Sequence, residues 1–229
     1  MFIKSFPAGP WQTNCYVVST GVGNECLIVD PGMHASTGIR DVVEENHLKP
    51  VAVLVTHGHI DHMWSLFPVA KGYGIPGFIH GDDRYLLSDP GAGLSPETAA
   101  ALPTMLGTDD IIAEPEDLRI VTDNMSLNIA GMDLVVRHAP GHTWGSVLFD
   151  FQTEDRHVFT GDVLFAGAIG RTDLANGSPE QMNDSLRNVI LPLPDSAIIL
   201  PGHGRDSRMN IERATNQYLL RIAQGLPAA

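Results

Sequence analysis

Histidine and aspartate crowd one short stretch of the chain. His57, His59, Asp61 and His62 fall within Thr56–His62, directly after the apolar run Val51–Val55. Imidazole nitrogens and carboxylate oxygens are the donors that divalent transition metals bind. The same residue types return downstream, each just beyond an apolar run. His142 follows Met132–Arg137, Asp162 follows His157–Phe159, and His203 follows Ala197–Leu200. Seven donors are more than one four-coordinate ion takes, and they suit two ions that share a carboxylate. His57 and His59, two residues apart, can bind one ion together, which leaves Asp61 and His62 to face the second. Two ions about 3.5–4 Å apart can hold a hydroxide between them and so make a nucleophile from water without Ser or Cys. That is chemistry for hydrolysis.

These donors need elements to bring them together. Phe2–Phe6, Asn14–Ser19 and Glu25–Val29 read as short strands, and Asp30-Pro31-Gly32 stops the third. Asp30 reads first as a turn former, with reach to a site at the strand's C-terminal end as the alternative. Ile39, Val42 and Val43 have helical spacing, with Ser36 or Thr37 as the N-cap. Leu66, Val69, Ala70 and Tyr73 predict a helix from about His62 to Gly72, before a strand at Gly77–His80. Alternating strands and helices indicate layered α/β construction, in which strand ends converge on a site. The 81–116 segment is rich in Gly, Pro, Asp and Ala and reads as an insertion, either a flap beside the site or a surface loop. Leu118–Val121, Met125–Ile129, Met132–Arg137, Val147–Phe151, His157–Phe159 and Ala197–Leu200 are further strands. Ser178-Pro179 opens a helix, with Ser as cap and Pro first. A C-terminal helix is expected at about 210–223. No linker divides the chain, so residues 1–229 read as a single domain.

Composition removes some functions. The chain carries 14 Lys plus Arg against 27 Asp plus Glu, and this net charge of -13 argues against nucleic acid as a partner. No window approaches the ~18 continuous apolar residues of a membrane helix, and the start lacks a signal-peptide stretch, so a cytoplasmic protein without a membrane partner is expected. Cys15 and Cys26 lie in strand-like runs and read as free, buried thiols. His34 and His47 read as exposed, His157 as structural, and His138 as too far from His142 to join it. His80 ends a strand beside the His-rich turn, where it could line the pocket. Oligomeric state cannot be read from these residues.

The run His57-Gly58-His59-Ile60-Asp61-His62, with His142, Asp162 and His203, resembles the dinuclear branch of the metallo-β-lactamase superfamily. The resemblance implies an α/β protein: an αββα sandwich of two mixed sheets flanked by helices, with the site at one edge between the sheets. It implies two divalent metal ions, zinc first, with iron or manganese as alternatives. His57, His59 and His142 would hold one ion and Asp61, His62 and His203 the other, with Asp162 bridging.

Within the superfamily the chain is most similar to the glyoxalase II (hydroxyacylglutathione hydrolase-like) group. The matching segments are Thr13-Asn14-Cys15-Tyr16-Val17-Val18, Val29-Asp30-Pro31-Gly32, Thr160-Gly161-Asp162-Val163-Leu164-Phe165 and Gly170-Arg171-Thr172-Asp173. The resemblance implies a thioester hydrolase acting on small molecules of the S-lactoylglutathione type, releasing a hydroxy acid and a thiol. A hydroxide bridging the metals would attack the carbonyl, with Asp61 orienting it. Arg171 would grip a substrate carboxylate, or else pair locally with Asp173. The short segment after His203 has no room for the helical domain that grips glutathione in longer members, so the thiol carrier stays open. One rival is a persulfide dioxygenase-like iron oxidoreductase, whose branch shares Gly170-Arg171-x-Asp173. Another is a lactone or ester hydrolase on the same centre. A secreted β-lactamase is disfavoured by the missing export signal and by the lack of a Cys at any donor position.

Overall fold

The computed structural model describes residues 1–105 and 112–228. Positions 106–111, part of the expected 81–116 insertion, lie outside the described residues. Among the described residues no helix is long and apolar enough to cross a membrane.

The first sheet runs in space as β1 (Phe2–Ala8), β2 (Thr13–Ser19), β3 (Glu25–Val29), β4 (Lys49–Leu54), β5 (Gly77–His80) and β6 (Leu118–Val121). β1, β2 and β3 pair antiparallel, and the pairings from β3 to β6 are parallel. Four strands of the second sheet follow: β7 (Ser126–Ile129), β8 (Met132–His138), β9 (Val147–Phe151) and β10 (His157–Gly161). A separate ribbon of β11 (Leu164–Phe165) and β12 (Ala168–Ile169) comes next. β13 (Ile198–Pro201) and β14 (Ser207–Arg208) complete the second sheet in the order β14-β13-β10-β9-β8-β7. Its β10–β13 pairing is parallel and its other pairings are antiparallel.

Side-chain alternation explains the layering. Along β3, Cys26 and Ile28 point to one apolar cluster while Leu27 and Val29 point to another. The first cluster also takes Ile39 and Val43 of α1 (Ser36–Glu45), Ile60 and Met63 of α2 (Ile60–Met63), and Leu66 and Val69 of α3 (Leu66–Tyr73). The second lies between the sheets and is filled by Leu54, Phe78, Phe149, Phe151 and Phe159. Two turns of 3-10 helix, Gly81–Leu87 and Pro90–Gly93, precede α4 (Pro96–Met105). On the far side, Leu148 and Val158 pack under α5 (Pro179–Ser185), α6 (Met209–Thr215) and α7 (Gln217–Ala223). Strands buried on both faces carry continuous apolar runs, and the result is the expected αββα sandwich.

Three local expectations change. The helix expected from His62 to Gly72 is broken into α2 and α3, because Ser65 is tied sideways: its N–H donates to Pro31 O and its hydroxyl to Gly32 O. The N-terminus of α1 uses neither Ser36 nor Thr37, and the Ala35 N–H donates to Ser65 Oγ instead. The C-terminal helix divides at buried Asn216, whose side chain caps α7 and donates to Ala168 O and Glu212 Oε2. Ser178 does cap α5, accepting from the Gln181 N–H.

Phe159 joins the two sheets, its ring centroid 5.0 Å from Tyr16 and 5.3 Å from Phe151. Phe159→Ala should cost about 3–5 kcal/mol of stability in denaturant titration. A loss below about 1 kcal/mol would mean that the sheets do not depend on this contact.

Candidate metal centre

The elements ending at one edge of the sandwich deliver the donors. β4 runs through Val55 and Thr56 into His57 and His59, and α2 carries Asp61 and His62. His142 lies beyond β8, Asp162 follows β10, and His203 follows β13. All seven expected donors converge. The donor atoms of His57, His59 and His142 lie within 4.8 Å of one another, as do those of Asp61, His62 and His203. A third such group, His57, His62 and Asp162, joins the two. Asp162 reaches both sides: Oδ1 is 3.3 Å from His62 Nε2, and Oδ2 is 3.4 Å from His142 Nε2 and 3.5 Å from His203 Nε2.

Hydrogen bonds on the outer nitrogens aim the rings. His142 Nδ1 donates to Arg171 O at 2.8 Å, and His203 Nδ1 to Trp11 O at 3.1 Å. His62 Nδ1 donates to Asp30 Oδ2 at 2.9 Å. The Thr56 hydroxyl gives its proton to Asp30 Oδ2 at 2.7 Å, so its oxygen accepts from His57 Nδ1 at 3.1 Å. In all four rings the acceptor outside takes the Nδ1 proton and turns Nε2 toward the centre. His59 differs: its Nδ1 lies 2.8 Å from His142 Nε2.

Thr13 and Trp11 are supports that sequence reasoning missed, and Asp30 is one whose reach to the site it ranked below a turn. Asp30 does turn the chain, with φ of 50°, but it is also buried and accepts from Thr56 N, Thr56 Oγ1 and His62 Nδ1. A signal was present. β3 lies beside β4 in parallel, so an Asp ending β3 stands next to the turn that ends β4. Thr13 donates to Asp61 Oδ2 at 2.8 Å, and this pairing of distant residues left no local trace.

Two other expectations resolve geometrically. The Arg171 guanidinium makes a two-pronged pair with Asp173 at 2.7 and 2.8 Å, so its local-pairing alternative is the arrangement seen. His80 stacks on His138, centroids 4.2 Å apart and planes within 9°, and Asp82 stands beside them as a separate group.

Electrostatics show that the centre fits a cation. Burial, then the neighbouring imidazoles, hold His57 well below the ordinary histidine range. Burial and His142 lower His59 to about 3. Burial opposes charge on His62 as well, but Asp61, Asp162 and Asp30 raise it well above that range. Burial pushes the Asp61 and Asp162 carboxyls up, and His62 with the other imidazoles more than reverses this. In the metal-free chain a proton on His62 thus answers the surrounding carboxylates. His57 Nε2 and His59 Nε2 are buried without a hydrogen-bond partner among the described residues. Each such atom costs roughly 1–3 kcal/mol, and bound cations remove that cost. In metal-free protein at neutral pH, imidazole nitrogen chemical shifts should show His62 cationic and His57 and His59 neutral. A neutral His62 would contradict this charge pattern.

Known proteins resemble this chain in sequence and fold. A family model described as the metallo-beta-lactamase superfamily matches residues 8–203. The hydroxyacylglutathione hydrolase GloC of Haemophilus influenzae is 33% identical over 220 residues, covering 96% of this chain and 98% of its own. The crystal structure of the BLEG-1 B3 metallo-beta-lactamase superposes with a TM-score of 0.80 at 36% identity, covering 95% of this chain and 99% of that one. A di-iron-bound form of TTHA1623 superposes with a TM-score of 0.77 at 29% identity, covering 95% and 100%. Matched along most of its length and carrying its seven donors at one sheet edge, the chain belongs to the metallo-β-lactamase superfamily of metal-dependent enzymes.

Proposed function

We propose that the chain is a dinuclear hydrolase of the glyoxalase II type, which splits thioesters of 2-hydroxy acids into the acid and a thiol. The observation that carries this reading is Asp162, whose carboxylate stands between the two groups of donors, with Oδ2 3.4 Å from His142 Nε2 and 3.5 Å from His203 Nε2. The similarity to GloC supports the substrate class. His57, His59 and His142 would hold one divalent ion, and Asp61, His62 and His203 the other, with Asp162 between them. Zinc is the proposed metal, and the di-iron form of TTHA1623 makes iron the first alternative, ahead of manganese. Such ions acidify water and polarise a carbonyl.

The chain's own groups then direct the reaction. The Oδ2 atom of Asp61 accepts from the Thr13 hydroxyl and is the oxygen turned toward the second group of donors, 3.2 Å from His203 Nε2 and 3.5 Å from His62 Nε2. Its Oδ1 is left to orient the attacking water by taking a hydrogen bond from it. Water oxygen bonds to the thioester carbon, the C–S bond breaks, and the thiol leaves with a proton. Arg171 stands at the rim and would meet a substrate carboxylate by exchanging Asp173 for it. The small-molecule thioester is the proposed partner, and its thiol carrier is for assay to decide.

A β-lactam is the second substrate reading, favoured by the 36% identity to the BLEG-1 B3 metallo-beta-lactamase. Its amide carbonyl asks for the same attack by water. A panel of hydroxyacyl thioester, β-lactam, lactone and persulfide with oxygen uptake separates these readings.

Two outcomes are expected. Chelation should abolish thioester hydrolysis and lower thermal stability, and zinc, iron or manganese should restore both. At metal 100-fold above its dissociation constant the stabilisation is about 2.7 kcal/mol. Turnover that survives complete metal removal would refute the mechanism. Asp162→Ala should weaken both ions together, since one carboxylate serves both. A purified variant with two metals and full turnover would end the bridging role.

A further inference from the structure

Asp83 touches none of the seven donors, yet it grips the backbone beside three of them. It lies fully buried in the 3-10 turn Gly81–Leu87 that follows β5. Its Oδ2 accepts from the Gly58 N–H at 2.8 Å and from the Thr143 hydroxyl at 2.6 Å. Its Oδ1 accepts from the Gly145 N–H at 2.8 Å. Gly58 separates His57 from His59, and Thr143 follows His142. The two loops leave different sheets: the first extends β4, and the second lies between β8 and β9.

The packing is as close as the bonding. A Cβ on Gly58 would stand 2.9 Å from the Asp83 carbonyl oxygen, and one on Gly145 would stand 2.6 Å from Asp83 Cγ. Glycine at both places lets the two loops close on one carboxylate. The other half of the centre is supported elsewhere, by Asp30 on His62, Thr13 on Asp61 and Trp11 on His203.

We propose that Asp83 is the positioning residue for the His57–His59–His142 half of the centre alone, holding its two loops in register across the sheets. The proposal rests on the dinuclear reading above and extends it. Three donors meet this side chain, two of them backbone N–H groups that can only donate. A carboxylate accepts on both oxygens, whereas an amide of the same shape accepts on one and turns an N–H₂ toward a donor. Asp83→Asn is therefore a near-isosteric way to break the clamp. Loss of a group that orients metal-binding histidines typically weakens metal binding about 10- to 100-fold.

The test titrates metal-stripped wild type, Asp83→Asn and Thr143→Val with cobalt(II). Bound metal is counted by elemental analysis and located in crystals by anomalous scattering. Wild type should bind two ions. Asp83→Asn should keep the ion at Asp61–His62–His203 and lose about 10- to 100-fold in affinity at His57–His59–His142. Thr143→Val leaves both N–H bonds in place and should show a smaller loss at the same position. Equal weakening of both ions, or none, in a variant that melts cooperatively overturns the proposal. Should Asp83→Asn fail to fold, Thr143→Val decides: a deficit confined to the three-histidine group supports the proposal, and wild-type affinity overturns it. A wild type that takes up no metal sinks the centre itself. A wild type with two ions beside an unaffected Asp83→Asn sinks only this assignment.

Discussion

The structure depends on keeping a dense group of imidazoles and carboxylates at the end of an otherwise apolar sandwich. Burying such groups without partners is costly, and for unpaired charges the cost is several kcal/mol each. The chain meets this constraint from two directions. On the outer side, Thr56, Asp30, Arg171 O and Trp11 O each take one imidazole nitrogen. On the inner side, the remaining lone pairs and the Asp162 carboxylate face one another across distances that a cation bridges. The outer bonds make the inner arrangement possible, because a ring free to rotate would turn its lone pair toward any available donor.

The two-sheet architecture turns that constraint into geometry. Donors from distant parts of the chain meet because β4, β10 and β13 all lead out at one edge. Backbone hydrogen bonds then stitch that edge across the sheets. Val147 N donates to Thr56 O at 2.9 Å, which ties the start of β9 to the turn after β4. Gly202 N donates to Gly161 O at 2.8 Å, and Asn14 N donates to Gly202 O at 2.7 Å. The loop bearing His203 is thereby fixed to the strand end bearing Asp162 and to the start of β2. Helix α2 is held through Ser65, whose bonds to the loop after β3 place Asp61 and His62 beside Asp30. The break between α2 and α3 thus serves the centre: an unbroken helix would lose that attachment.

How much of this could be read in advance depended on the range of the interaction. Donors at strand ends were legible because each followed an apolar run and announced itself by residue type, and all seven meet. The layers were legible because strands such as β3 and β4 carry apolar side chains on both faces. Capping at Ser178 was legible because its partner lies three residues away. Asp30 was read first as a turn former because a turn is what its neighbours Pro31 and Gly32 specify. Its bonds to Thr56 and His62 bridge segments far apart in the chain. The same holds for Ser65, Asn216 and Thr13: each is an ordinary polar residue whose partner is distant. Such residues become visible only once the sheet order is known.

The two halves of the centre also differ in exposure. His57, His59 and His142 are buried, and a Cβ on Gly93 would stand 2.8 Å from His59 Cδ2, so the Pro90–Gly93 turn covers that side. The His203 and Asp61 side chains keep 28% and 17% exposure, and the centre opens to solvent there. On that open side the Asp61 carboxylate is anchored through one oxygen by Thr13. Arg171 divides its work in a related way. Its carbonyl holds His142 while its exposed guanidinium engages Asp173. The orientation of a buried donor is therefore carried by the backbone at this position, independently of the pair that the side chain makes with Asp173.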